Sequence, residues 1–113
     1  MKHTNQDFQK VIDACAECAV TCTQCATACL QEENVAKLVP CIRLDMACAA
    51  LCRSVVELLS LGSTFSAHLC RICVDVCLAC ATECEKNGEM GIRECAEACR
   101  RCALVCEEVA TAA

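Results

Sequence analysis

Seventeen of the 113 residues are cysteine, and they fall into four groups with a strict internal spacing. From Cys15 to Cys29 the chain reads CAECAVTCTQCATAC, with thiols at Cys15, Cys18, Cys22, Cys25 and Cys29. The second group is Cys41, Cys48 and Cys52. The third is Cys70, Cys73, Cys77, Cys80 and Cys84, and the fourth is Cys95, Cys99, Cys102 and Cys106. Every interval inside a group is three, four or seven residues. At 3.6 residues per turn, each group draws one stripe down one face of a helix. Groups one and three share the pattern CxxCxxxCxxCxxxC, which hints at a duplicated helical hairpin.

The rest of the composition agrees with helices. Three glycines and one proline are too few for an all-β chain. A 57% hydrophobic content excludes a disordered chain, and 113 residues make one domain, 1–113, the expectation. With two Phe, no Tyr and no Trp, the core must be built from Ala, Val, Leu and Cys.

Breakers separate the stripes. QEEN lies between the first two, with Asn34 as an N-cap for the second helix. Pro40 falls beyond that helix's first turn, where a local kink is expected. LGST follows, with Gly62 ending one helix and Ser63 or Thr64 opening the next. KNGEMG separates the last two, with Gly88 as a stop. These signals predict helices over 5–31, 35–60, 64–86 and 90–110. Short connections make neighbours antiparallel, so the fold class is all-α: an up-down-up-down four-helix bundle with a cysteine-lined core.

Extending each stripe past its thiols gives the bundle a polarity. Phe8, Val11, Val55, Leu59, Phe65, Ser66 and Val109 gather at one end, which hydrocarbon should close. Cys29, Cys41, Cys84 and Cys95 gather at the other, beneath short polar loops, where a soft ion would be admitted. On the third helix Leu69, Ile72, Val76 and Ala79 form a second stripe, for packing against a neighbouring helix or for an oligomer contact.

Packing alone does not explain the thiols, since Leu and Val fill a core better. Within one stripe, i, i+3 and i, i+4 Cβ atoms stand about 5–6 Å apart, whereas a disulfide needs about 3.8 Å. The N-terminal MKHTNQDFQK is polar, without the apolar stretch of a signal peptide. No segment reaches 18 apolar residues. The expected location is therefore cytoplasmic, a reducing compartment where many cysteines mean metal more often than disulfides. The net charge of −5 and the absence of a Lys/Arg cluster argue against a nucleic-acid partner. No acid/base or nucleophile constellation points to an enzyme.

Soft thiolates select Cu(I), zinc or iron–sulfur clusters. With a metal–sulfur bond of about 2.3 Å, a linear S–M–S unit spans about 4.6 Å. An i, i+4 thiol pair reaches that span with modest adjustment, and Cys18–Cys22 and Cys25–Cys29 are candidate two-coordinate sites. Zinc wants closed sets of four ligands, and ferredoxin-type clusters use C-x2-C-x2-C-x3-C-P loops. Neither matches unbroken helical stripes. Buried thiols start neutral, and a monovalent ion replacing each proton leaves the core near neutral, with about one ion per thiol if each thiolate bridges two ions. Multiple Cu(I) ions per chain are thus favoured. An iron–sulfur electron-transfer protein and a zinc or cadmium thiolate sink remain the alternatives.

These stripes, with CIRLDMACAALC at 41–52, resemble the cytosolic bacterial copper storage proteins, cysteine-rich four-helix bundles sometimes mislabelled as ferredoxins. The resemblance covers nearly the whole chain. It implies Cu(I) storage and detoxification, tetrameric assembly, and all seventeen cysteines as the metal ligands. A copper chaperone is a candidate source of the ions. No histidine carries over: His3 lies in the N-terminal tail, and His68 should face outward near the closed end. Asp45 occupies a stripe position where a thiol would continue the pattern. A structural hydrogen bond is favoured for it over weak copper ligation. Met46, one step off the stripe, is expected to pack, and Met90 to lie in a solvated loop.

Overall fold

The computed structural model describes residues 5–87 and 90–112. It contains four helices: α1 (Asn5–Leu30), α2 (Val35–Leu61), α3 (Ser66–Glu85) and α4 (Met90–Ala112). Each boundary agrees with the sequence reading to within two residues. Among the described residues, each helix packs its backbone against two neighbours, and the diagonal α2 and α4 meet only through side chains on the bundle axis, such as Cys52 and Cys102 at 3.7 Å. The result is a square bundle about 50 Å long and 19 Å across.

Paired contacts fix the direction of the neighbours. On α1 and α4, Lys10 meets Glu108 at 3.2 Å and Glu17 meets Arg101 at 3.0 Å. On α2 and α3, Cys41, Cys48 and Cys52 face Cys84, Cys77 and Cys73. In both pairs one residue number rises as the other falls, so the helices are antiparallel. The exposed ion pairs hold little energy themselves.

Small side chains make this narrow bundle possible. Ala19, Ala49, Ala81, Ala96 and Ala103 are buried beside the thiol stripes, so the backbones can approach closely. Val11, Val55 and Leu59 are fully interior at one end, with Phe8 and Val109 packed against them. This is the expected hydrocarbon plug, with one correction. Phe65 is 68% exposed and Ser66 takes the interior position, because α3 starts at Ser66 and Phe65 sits on its cap.

Gly62 closes α2 with φ +69°, the left-handed geometry that glycine alone adopts without strain. Its amide donates to the Leu59 carbonyl at 3.1 Å and that of Ser63 to Leu58 at 2.9 Å, a Schellman ending. Ser63 then opens the next helix: its Oγ accepts from the Phe65 amide at 3.1 Å. At α2 the expected cap differs. The Asn34 side chain makes no capping bond; its carbonyl accepts from the Lys37 amide at 2.9 Å instead. Pro40 lies inside α2, which runs on through it. Gly88, His3 and the Met90 side chain lie outside the described residues. Met90 itself starts α4 rather than a loop.

The second stripe of α3 divides. Leu69 and Val76 pack against the core, whereas Ile72 and Ala79 are exposed. Met46 is 62% exposed and makes no part of the core. Both results follow from the thiol stripe setting the helix phase: positions one step off it point at the flank or at solvent.

Candidate metal centre

All seventeen cysteines are buried and none is in a disulfide. Sixteen have no exposed surface; Cys25, near the loop end, retains 4%. Each helix supplies its stripe because the heptad-like spacing turns the same face inward at every repeat. The four stripes meet on the bundle axis as a continuous column of sulfur.

The column has layers. Cys15, Cys52, Cys73 and Cys102, one from each helix, have sulfurs within 4.8 Å of one another beside the hydrocarbon plug. Next comes a set of Cys18, Cys48, Cys52 and Cys77, then Cys18, Cys22, Cys48 and Cys99, then Cys22, Cys80, Cys95 and Cys99. The last layer again takes one residue from each helix: Cys25, Asp45, Cys84 and Cys95. Cys29 and Cys41 lie at this same end, and Cys41 Sγ stands 3.2 Å from Cys84 Sγ. At the plug end Cys15 stands 3.5 Å from both Cys102 and Cys106.

Successive groups share members, so the thiols do not divide into separate fours. The sequence reading expected unbroken stripes, and that holds along each helix. What the spacing could not reveal is that the tightest groups run across helices. The i, i+4 pairs are also close: Cys18–Cys22 at 3.9 Å, Cys73–Cys77 at 3.8 Å and Cys102–Cys106 at 3.9 Å. Cross-helix pairs such as Cys48–Cys77 at 3.5 Å are as near. Among the described residues, no His, Glu or Met joins the cysteines and Asp45 in the interior. His68 is on the surface.

Asp45 sits in the sulfur column with no exposed surface. Its Oδ1 accepts from the thiols of Cys95 at 3.1 Å and Cys80 at 3.2 Å, with Cys84 at 3.8 Å. Cys41 lies 3.8 Å from Oδ2. This is the structural hydrogen bonding expected from the sequence, made to thiols of three helices. No Lys, Arg or His is buried among the described residues, so nothing compensates a negative charge there. Burial therefore pushes the Asp45 carboxyl up to about 10, well above its ordinary 3.8. Burial likewise pushes the Cys29 thiol up to about 11. A metal-free core of this kind holds its thiols largely as neutral S–H groups.

The spacings suit metal–thiolate chemistry. About 2.3 Å per metal–sulfur bond places two thiolates about 4.6 Å apart on a linear ion and about 4.0 Å apart on a trigonal one. Sulfurs separated by 3.2–4.8 Å need only rotamer changes to reach either. Because neighbouring groups share thiols, a thiolate shared by two groups could bridge an ion in one to an ion in the next. Charge separates the ions that the distances do not. Each monovalent ion replaces one thiol proton and leaves the core neutral, while a divalent ion in every group would leave it charged.

Comparison with known proteins agrees with this arrangement. The uncharacterised cysteine-rich protein YhjQ of Bacillus subtilis is 40% identical over 85 residues, covering 75% of this chain and 79% of that protein. A solved Cu(I)-bound copper storage protein superposes with a TM-score of 0.89 at 38% identity, covering 93% of this chain and 99% of that one. A cytosolic copper storage protein from Streptomyces lividans, loaded with five coppers, gives the same TM-score and identity over 93% and 92%. The model of the copper storage protein family matches residues 4–111. With sequence, fold and sulfur column all in agreement, the chain belongs to the copper storage protein family.

Proposed function

We propose that this chain stores Cu(I) as many ions inside one bundle, held by the thiolates of all seventeen cysteines, and so keeps the metal from doing harm elsewhere. The observation that carries the reading is the column of overlapping sulfur groups, closed by hydrocarbon at one end and lined on all four sides. Its thiols are shared between adjacent groups, as bridging requires, and monovalent loading keeps the buried charge near zero. One solved relative is Cu(I)-bound and another is loaded with five coppers. Iron–sulfur electron transfer and a zinc or cadmium sink have no comparable support.

The whole chain, 1–113, acts as one storage domain without catalytic activity. Its setting is the cytoplasm, as for the Streptomyces relative, since the reducing environment keeps the thiols free. No helix among the described residues is long and apolar enough to cross a membrane. Exposed apolar residues, Val20 at 57% on α1 and Leu104 at 71% on α4, support self-assembly, and the family resemblance makes the assembly a homotetramer. A copper chaperone is a fitting source of ions for so large a sink.

The test is a titration of reduced, anaerobic, metal-free protein with Cu(I) against a competing chelator. Uptake approaching one ion per thiol is expected. Saturation at one or two ions per chain would refute storage. A visible iron–sulfur chromophore in freshly purified protein would favour the electron-transfer reading instead.

A further inference from the structure

The loop-end group and the interior groups meet at a particular thiol. Cys95 belongs to the group with Cys25, Asp45 and Cys84 and also to the group with Cys22, Cys80 and Cys99. Its Sγ lies 3.6 Å from Cys22 Sγ on one side and 3.1 Å from Asp45 Oδ1 on the other. Beyond Cys22 a chain of close thiol contacts continues through Cys18 and Cys48 to Cys77. On the loop side Cys25 keeps the one trace of thiol exposure. Asp45 fills the α2 slot of a layer to which α1, α3 and α4 give thiols, and its Oδ1 accepts from Cys80 and Cys95 together. An oxygen is a poor partner for a soft ion but a good acceptor for a thiol. Placed there, it holds the α4 thiol in register without competing for the cargo.

We propose that Cys95 is the transfer residue through which ions pass from the loop-end group to the interior, and that Asp45 is the positioning residue that aims it. This inference rests on the storage reading. The exchange balances without redox chemistry. An ion held by Cys95 and a loop-end thiolate forms a bond to Cys22 as its bond to the loop-end thiolate breaks. Cys95 stays bound throughout, the proton leaving Cys22 passes to the thiolate set free, and copper remains Cu(I). Exchange through a shared ligand avoids releasing a bare ion into an apolar core.

The experiment is stopped-flow loading of the full-length, reduced, metal-free protein from a coloured Cu(I)–chelator complex, reading loss of the chelator colour. Final uptake is read from the same traces. The Cys95→Ser variant is expected to give up only the one or two ions that a single thiol serves. Its loading to the interior should be slower by roughly tenfold or more than that of Cys106→Ser, which loses one thiol at the far end; tenfold corresponds to about 1.4 kcal/mol in the barrier. Asp45→Leu should load slowly at nearly full capacity, and Asp45→Asn, which keeps the oxygen, should restore the rate. Equal rates for Cys95→Ser and Cys106→Ser would overturn the transfer role. A slowdown confined to Cys80→Ser would overturn it too, by placing the route on α3. A wild-type rate for Asp45→Leu would overturn the positioning role. Failure of the storage reading looks different, because the wild type itself would then take up only an ion or two.

Discussion

Replacing Asp45 by Asn should make the metal-free bundle more stable at neutral pH, although it removes a hydrogen-bonding acid from the core. Burial raises the Asp45 carboxyl to about 10 in the fold, from 3.8 in the ordinary state. Below pH 3.8 both folded and unfolded chains carry the proton, and the fold has its full stability with respect to this group. As pH rises above 3.8 the unfolded chain releases the proton and the folded chain keeps it. Stability then falls by about 1.36 kcal/mol per pH unit until the folded group ionises near 10. At pH 7 the accumulated loss is about 4.4 kcal/mol, which depends on the unfolded value and only requires that the folded one lie above 7. Asn removes this loss and keeps an oxygen facing Cys80 and Cys95. Its amide nitrogen must make do with the Cys41 sulfur, which stands 3.8 Å from Oδ2 in the native chain. A poorly satisfied buried donor costs about 1–2 kcal/mol. The net gain is about 2–3 kcal/mol at pH 7, out of a total that is typically about 5–15 kcal/mol. The assay is urea unfolding of reduced, anaerobic, metal-free wild type and variant at pH 5, 6, 7 and 8. Other titrating groups cancel in the difference, so the gap should widen by about 1.4 kcal/mol per unit. A gap that stays constant from pH 5 to 8 would mean that Asp45 is already ionised in the fold, and the reasoning from burial would fail.

Other predictions bear on folding and loading. Far-ultraviolet circular dichroism of the metal-free, reduced protein should show a helical chain, because Val11, Val55 and Leu59 are buried independently of metal; a random-coil spectrum would contradict a preformed bundle. Gly62→Ala should destabilise by about 1 kcal/mol and lower Tm by about 4–8 °C. The whole effect comes from φ +69°, since an added Cβ meets nothing within 4 Å, so an unchanged Tm would refute the left-handed ending. Loading with Cu(I) should raise Tm progressively with each equivalent, as the ions tie four helices together and bind only the folded core tightly; thermal melts at increasing copper that superpose would show that the ions bind outside the bundle.

The cysteine spacing was enough to read four helices because sulfur here plays the part that Leu plays in other bundles. A stripe repeating at three and four residues specifies both the element and its inward face, and every one of the seventeen thiols is buried as that rule requires. The rule says nothing about relative height, since sliding one helix along another leaves each stripe intact. Height is set by how the buried side chains meet across helices, such as Cys48 with Cys77 and Cys15 with Cys106, and by loop lengths. For that reason the pattern alone does not give the cross-helix groups and offers only the within-helix pairs as sites. The same blindness explains Phe65. It lies on the extended stripe of α3, but the helix begins one residue later and leaves the ring in solvent. Asp45 shows the opposite case. A carboxylate on a thiol stripe breaks the pattern visibly, and a break at a buried position has to be matched by partners somewhere in the fold. That its partners are thiols of α2, α3 and α4, gathered around the two oxygens of a carboxyl where a sulfur would otherwise sit, makes it an anchor for the sulfur column as well as an interruption in it.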